Sequence, residues 1–234
     1  MLNRLLSAGA LAALALVSAP ASAQDAAAPA PAEAVAATPV RSVAYAPLVY
    51  DIAADPESIL LLDLSNGRRV AIRLMADWAP NHVERIKTLT RQGFYDNVKF
   101  HRVIDGFMAQ TGDPTGTGRG GSTLPDLKAE FNPMPHVRGT ISMAHAASND
   151  SANSQFFITF YPRFSLDRKY TNFGRVIAGM DAVDAIARGE PPADPTVVLQ
   201  ASIAADGKPQ VVAPPPAAPL SEITADMLDA PLSN

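Results

Sequence analysis

Residues 99–122 read KFHRVIDGFMAQTGDPTGTGRGGS, and this stretch decides how the rest of the chain is interpreted. It begins as an apolar strand, yet His101 and Arg102 lie within it, beside Phe100 and Val103. It ends with five glycines between positions 112 and 121, which predict a flexible loop whose backbone can run close to a bound ligand. A strand arginine is usually a surface charge, so its role depends on what the rest of the chain brings beside it.

Strand and turn patterns continue on both sides of this stretch. The runs 58–64 and 68–74 flank Asn66 and Gly67, a pair that suits the positive φ angles of a type I′ hairpin turn. In the second run Val70, Ile72 and Leu74 alternate with Ala71 and Arg73, so one buried face is predicted. Further strands are predicted over 99–104, 140–144, 155–160, 173–177 and 197–203.

Helical periodicity is found in two places. One helix is predicted to begin at Pro80 and to end near Gly93, and the other runs from Met180 to Arg188 before Gly189. Many short strands with only two helices favour an antiparallel barrel or sandwich over alternating strand–helix units.

The two ends of the chain differ from its centre in composition. Residues 1–23 have the pattern of a signal peptide, with Arg4 before an apolar stretch and a small-residue cleavage site at Ala21-Ser22-Ala23. The apolar stretch is too short for an uncleaved anchor, which takes about 20 residues. Residues 24–47 form an Ala/Pro-rich flexible segment and 206–234 a Pro-rich tail, leaving 48–205 as one folded domain. We therefore expect export, to the periplasm if the source is a Gram-negative bacterium.

Composition excludes several classes of function. The net charge of −4 without a basic tract argues against nucleic-acid binding, and the absence of cysteine excludes thiol catalysis and thiolate metal sites. The four histidines show no metal-ligand spacing, so neither a metal nor another cofactor is predicted. The glycine-rich loop lacks the Gly-Lys-Ser/Thr ending of a phosphate loop, and Ser142 and Ser154 lack the context of a catalytic serine.

Apolar side chains from separate strands are expected to meet beside Arg102. Phe107 and Met108 follow it after an Asp-Gly turn, and Phe157 and Leu166 come later in the chain. If their strands are neighbours, they form a concave apolar surface with the guanidinium at its rim. Such a surface suits a small apolar ring next to a planar polar group.

The sequence resembles the cyclophilins, the cyclosporin-type family of peptidyl-prolyl isomerases. The resemblance extends from about Ser58 to about Leu199 and is most specific in residues 93–113, GFYDNVKFHRVIDGFMAQTGD, and 154–158, SQFFI. It implies the family's fold, a mainly β structure in which a closed eight-stranded antiparallel β-barrel is capped by two α-helices.

The same resemblance implies the roles of individual residues. Arg102 takes the place of the catalytic arginine, and Gln110 that of the residue that hydrogen-bonds the substrate backbone. The remaining substrate contacts are the proline pocket of Phe107, Met108, Phe157 and Leu166, the peptide-binding edge of Ala144, His145 and Ala146, the rim residues Gly116 and Gln155, and the aromatic wall at Tyr170.

The chemistry of rotation about an X-Pro bond explains why an arginine at this position could be catalytic. The barrier of about 20 kcal/mol arises because twisting the bond removes the amide resonance, and the uncatalysed reaction takes tens of seconds. In the twisted transition state the prolyl nitrogen regains a lone pair and accepts a hydrogen bond. A guanidinium beside it stabilises the twisted state more than the planar one, so no metal, nucleotide or covalent intermediate is needed.

Three positions depart from the family pattern. Ser165 replaces a tryptophan that contacts cyclosporin, which puts tight binding of that drug in doubt, and Phe164 is one position early to substitute for it. Tyr170 replaces a frequent histidine and keeps an aromatic wall. His145 replaces the asparagine of the Ala-Asn-Ala edge, where backbone groups are expected to contact the peptide.

The favoured hypothesis is an exported, monomeric isomerase that acts on proline-containing unfolded or partly folded polypeptides, without stable membrane insertion after signal cleavage. The alternative is a binding module for proline-containing segments or partner proteins with weak catalysis, and it is motivated by the three departures. A hydrolase is a third, weaker alternative, because no matched nucleophile and base are evident.

Overall fold

The computed structural model describes residues 48–213, so the predicted signal peptide, the predicted Ala/Pro-rich segment and most of the predicted tail lie outside the described residues. Within them, short strands dominate and two α-helices are present. The strands are β1 (Ile59–Leu64), β2 (Arg69–Leu74), β3 (Val98–Lys99), β4 (Arg102–Ile104), β5 (Met108–Thr111), β6 (Thr140–Met143), β7 (Phe156–Thr159), β8 (Asn172–Ala178) and β9 (Val197–Ile203), and the helices are α1 (Pro80–Arg91) and α2 (Met180–Asp184). No helix in this part of the chain is long and apolar enough to cross a membrane.

The strands form one antiparallel sheet in the order β3-β9-β1-β2-β8-β6-β7-β5-β4, curled into a half-barrel. The mainly β class with two helices is confirmed, but the prediction of a closed eight-stranded barrel is wrong. The predicted strand 99–104 is split at Phe100 and His101 into β3 and β4, which become the two edges. The chain opposite them passes through Pro191, Pro192 and Pro195, which have no N–H to donate to a continuous ladder.

The β1–β2 hairpin has a different turn from the predicted one. Gly67 has a φ of +82°, but Asn66 has no positive φ, so the turn is not type I′. The amide of Gly67 donates to Leu64 O and the amide of Leu64 donates to Arg68 O. This is the three-residue loop in which a glycine with positive φ follows a type I turn.

The core fills the concave side of the sheet, and β2 is buried on both faces. Val70, Ile72 and Leu74 belong to the main core, as their alternation predicts. Arg73 is also buried, because its guanidinium donates to the carbonyl oxygens of Val49, Asp51 and Asp55 in the segment preceding β1. The alternation predicted one buried face and gave no sign that Arg73 is buried on the other, where these backbone oxygens replace its hydration.

Both helices begin where predicted; α1 also ends near Gly93 as predicted, whereas α2 ends earlier than predicted. After α1, Gly93 adopts a φ of +71°, its amide donates to Thr90 O, and the amide of Phe94 donates to Leu89 O. This pair of bonds is the Schellman motif that a glycine after a helix favours. Helix α2 ends at Asp184 rather than Arg188. Strand β5 has only one large apolar residue, Met108, and its short pattern gave no prediction of a strand.

Candidate active site

A row of side chains crosses four neighbouring strands on the outer face of the sheet. Arg102 is opposite Gln110, Gln110 is opposite Phe157, and Phe157 is opposite Ser142. Residues directly opposite one another in antiparallel strands project to the same face. Because side chains alternate along a strand, Phe156 and Ile158 enter the core while Phe157 faces outward.

The outward face lines a cavity of about 900 Å³. Most of the predicted site residues line it together: Arg102, Phe107, Met108, Gln110, Gly116, Ala144, His145, Phe157, Leu166 and Tyr170. Ala146 and Gln155 instead line an adjoining cavity of about 580 Å³, which shares Gln110, Ala144 and His145 with the first. The sequence therefore identified a set of residues that do lie together, and their individual roles remain predictions.

Arg102 is at the rim of the larger cavity with 44% of its side chain exposed. Its Nε donates to Oε2 of Glu190 at 2.8 Å, and no other side chain between residues 48 and 213 hydrogen-bonds to it. Gln110, its cross-strand neighbour, donates through Nε2 to Oε1 of Gln155 at 2.9 Å. Gln155 donates in turn to the carbonyl oxygens of Gly118 and Gly120, so it braces the glycine-rich loop.

Aromatic rings form one wall of the cavity. Tyr170 meets Phe157 edge-to-face, with 5.4 Å between ring centroids, and stacks on His145 at 4.6 Å. The His145 ring nitrogens lie 2.8 Å from Ala146 O and 2.9 Å from Lys169 O, so the ring joins the peptide-binding edge to the loop that carries Tyr170. Two departures from the family pattern, His145 and Tyr170, thus pack on each other.

The third departure, Ser165, does not line the cavity. Ser165 is exposed in the short 3₁₀ turn Phe164–Leu166, and of this turn only Leu166 lines the cavity. Phe164 is 61% exposed and does not replace the missing tryptophan. Arg163 covers Phe107 instead, with its guanidinium carbon 5.2 Å from the ring centroid.

The glycine-rich loop is organised around one buried carboxylate. The Asp113 side chain accepts hydrogen bonds from the amides of Thr115, Thr117, Gly118 and Gly120 at 2.7–3.1 Å. Burial alone would raise the pKa of Asp113, but bonds from the Thr115 hydroxyl and the loop amides outweigh it and lower the pKa to about 2. The composition of the loop predicted flexibility and gave no sign of this network.

A hydrogen-bonded chain joins the buried Ser142 and His136 to the partly exposed Asp167. Oγ of Ser142 is 2.8 Å from Nε2 of His136, whose Nδ1 is 2.7 Å from Oδ1 of Asp167. The connectivity is that of a serine hydrolase, and nothing in the sequence indicated it. Ser142 is completely buried, however, so its hydroxyl cannot reach a substrate. Burial lowers the pKa of His136, against the opposing effect of Asp167, and the chain braces the turn that carries Leu166.

Several residues at the cavity were not anticipated as functional. They are Thr117, Gly118 and Arg119 of the glycine-rich loop, the chain segment Glu190–Pro191, and His101. Arg119 lies within the quoted stretch, whereas nothing near Glu190 in the sequence indicates that it meets Arg102. Burial lowers the pKa of His101.

The arrangement suits binding and electrostatic stabilisation better than bond cleavage. Apolar and aromatic side chains form part of the cavity lining, and two arginines, Arg102 and Arg119, also line it. The terminal NH₂ groups of Arg102 make no hydrogen bond to a residue in the described range 48–213. Between residues 48 and 213 no group of three or more histidine, aspartate or glutamate side chains could hold a metal ion.

Comparison with known proteins gives the same family in three ways. Residues 60–204 match the family model described as cyclophilin type peptidyl-prolyl cis-trans isomerase/CLD. A relative from Brucella suis biovar 1 (strain 1330), named as a probable peptidyl-prolyl cis-trans isomerase, is 47% identical over 172 residues, covering 67% of this chain and 87% of the relative. A peptidyl-prolyl cis-trans isomerase-like 1 from Aspergillus fumigatus (strain ATCC MYA-4609 / CBS 101355 / FGSC A1100 / Af293) is 38% identical over 157 residues, covering 63% of this chain and 96% of the relative.

Solved structures agree with these relatives. The crystal structure of cyclophilin AquaCyp293 from Hirschia baltica matches with a TM-score of 0.61 and 27% identity, covering 70% of this chain and 83% of that one. A cyclophilin-type isomerase from Cryptosporidium parvum, crystallised in the presence of the dipeptide Ala-Pro, matches with a TM-score of 0.58 and 29% identity, covering 62% and 98%. The chain belongs to the cyclophilin-type peptidyl-prolyl cis-trans isomerase family.

Proposed function

We propose that this protein accelerates cis-trans rotation about X-Pro bonds in exported polypeptides while they fold. The observation that supports this proposal most strongly is the Arg102 guanidinium, half exposed at the rim of a cavity walled by Met108 and Phe157. The apolar wall suits the proline ring, and the cation suits the nitrogen lone pair that develops as the amide twists. Crystallisation of the Cryptosporidium parvum relative with Ala-Pro supports a proline-containing ligand for this cavity.

The test is cis-to-trans conversion of a short Ala-Pro-Phe peptide, read by an isomer-selective protease. Arg102→Ala should lower kcat/KM by about tenfold to a hundredfold, because a charged donor aimed at the transition state is lost. Arg119→Ala is the matched control, since it removes a cation from the same cavity rim without touching Glu190. A loss of less than about tenfold for Arg102→Ala would count against this mechanism.

A binding module with weak catalysis is the second candidate. The observation that favours it is the Arg102–Glu190 pair, because a carboxylate on the guanidinium offsets the charge offered to the substrate. The same peptide separates the two functions. Affinity for the peptide together with a rate equal to the spontaneous one, for both the natural protein and Arg102→Ala, would select the binding module.

The proposal of export rests on residues 1–23, whose pattern is that of a signal peptide. We expect the mature chain to begin at Gln24, to act as a monomer, and to be released into the periplasm if the source is a Gram-negative bacterium. N-terminal sequencing of protein expressed from the full-length gene in a bacterial host tests this. A chain that retains Met1, or that stays with the membrane fraction, would contradict it.

A further inference from the structure

Glu190 is placed beside Arg102 by the backbone. The amide of Val103 donates to Gly189 O at 2.7 Å, and the amide of Gly189 donates back to Val103 O at 2.9 Å. These bonds hold the residue before Glu190 opposite the residue after Arg102. Gly189 has a φ of +143°, and a Cβ there would lie 2.5 Å from Cα of Pro192, so only glycine fits.

The carboxylate of Glu190 hydrogen-bonds only one nitrogen of the Arg102 guanidinium. It accepts a hydrogen bond from Nε, the guanidinium nitrogen nearest the backbone. The terminal NH₂ groups of Arg102 make no hydrogen bond to any residue in the described range 48–213. An arginine side chain is long and rotatable, so an unheld guanidinium would spend much of its time away from one productive geometry. Gln110 does not hold it, because no hydrogen bond joins its acceptor oxygen Oε1 to the guanidinium; its Nε2 donates to Gln155.

We propose that Glu190 is a positioning residue for Arg102. Its carboxylate holds the guanidinium by Nε at the cavity rim, so that the terminal NH₂ groups face the prolyl nitrogen of the substrate. This inference rests on the proposed isomerase function. The pair is about half exposed on both sides, so it contributes little to stability, and its effect is on the rate.

The test uses two variants of Glu190 with the Ala-Pro-Phe peptide. Glu190→Ala removes the acceptor and should lower kcat/KM by about threefold to tenfold with an unchanged unfolding midpoint, the loss being in kcat rather than KM. Glu190→Gln keeps an acceptor oxygen without the charge and should retain most of the natural rate. Asp105→Ala is the matched control, because it removes a nearby carboxylate that pairs with Arg188 instead.

A third comparison places Glu190→Ala on the Arg102→Ala background, where it should cause no further loss because nothing remains to be positioned. Three results would overturn the inference: a natural rate for Glu190→Ala, an increased rate for it, or a Gln variant as slow as the Ala variant. If Arg102→Ala is slow while Glu190→Ala is not, the isomerase function stands and the positioning role fails. If Arg102→Ala itself keeps the natural rate, Arg102 is not catalytic and the positioning role fails with it. If the natural protein converts the peptide only at the spontaneous rate, the proposed function itself fails.

Discussion

At the scale of single residues, the carboxylate of Asp113 shows how one buried group can order a loop. It accepts hydrogen bonds from four loop amides, and the loop it holds carries Gly116, Thr117 and Arg119 to the cavity. The glycines allow the backbone turns of the loop, and the carboxylate accepts the hydrogen bonds of its amides. The loop is therefore an ordered part of the site.

Asp113→Asn tests this directly. An amide group replaces one acceptor oxygen with a donor that faces backbone N–H groups, so we expect a loss of about 1–3 kcal/mol in the free energy of unfolding. The KM for the Ala-Pro-Phe peptide should rise because the loop lines the cavity. Urea unfolding and peptide kinetics measure the two effects. Asp194→Asn, at an exposed position, is the control, and equal behaviour of the two variants would refute the role of Asp113.

The sequence identified the site residues that lie in one motif, and it did not identify those that reach the site from a distant segment. Arg102, Met108 and Gln110 lie close together in one motif, and their strands are adjacent in the sheet. Glu190 is 88 positions from Arg102, and nothing in its own neighbourhood of the sequence marks it as a partner. The link exists only because the Gly189–Val103 bonds bring the two segments together, and pairings of that kind leave no periodic pattern.

At the scale of elements, the chain of Ser142, His136 and Asp167 joins β6 to the 3₁₀ turn Phe164–Leu166. The turn is held from beneath, because the amide of His136 also donates to Asp167 at 2.8 Å. Leu166 therefore reaches the cavity from a short turn that has buried hydrogen bonds beneath it. The spacing of these residues in the sequence predicted neither the contact nor its structural use.

Ser142→Ala should destabilise the protein by about 1–3 kcal/mol, because Nε2 of His136 is left buried without its partner. Catalysis should change less than stability, since Ser142 does not contact the cavity. Chemical unfolding of this variant beside Ser148→Ala, at an exposed serine, measures the difference. An unfolding free energy equal to that of the control would show that the chain does not brace the turn.

The strands at the two edges of the sheet were the hardest to predict. Strand 99–104 was predicted as continuous from its apolar residues, and the structure divides it at Phe100 and His101. The cause lies in a distant segment, where prolines opposite the strand remove the donors that a continuous ladder requires. Strand β9 matches its predicted bounds, and it pairs with β1 on one side and with β3 on the other.

At the scale of the whole molecule, the buried histidines predict how stability depends on pH. Burial is the largest cause that lowers the pKa of His82, His101 and His136 below the ordinary value of 6.5. The unfolded chain then binds more protons than the folded one as pH falls below that value. Stability is therefore complete above it and is lost as pH falls through the lowered values.

In urea unfolding the free energy of unfolding should change little above about pH 6.5 and decrease between about pH 6.5 and pH 5. A second loss should follow in stronger acid, where Asp113, with its pKa of about 2, and Glu130 become protonated. His136→Gln should reduce the slope in the first window. A free energy that stays constant from neutral pH to about pH 5 would contradict this account.

The short edge strands of the sheet have a consequence for solubility. An exposed edge strand offers unpaired N–H and C=O groups that can template the addition of another chain. Here β3 and β4 have only two and three residues, and the outer side of β4 is already bonded to Gly189. A protein proposed to handle unfolded polypeptides meets extended, aggregation-prone segments continually. Its cavity can receive such a segment while its sheet offers little edge on which an amyloid-like ladder could grow.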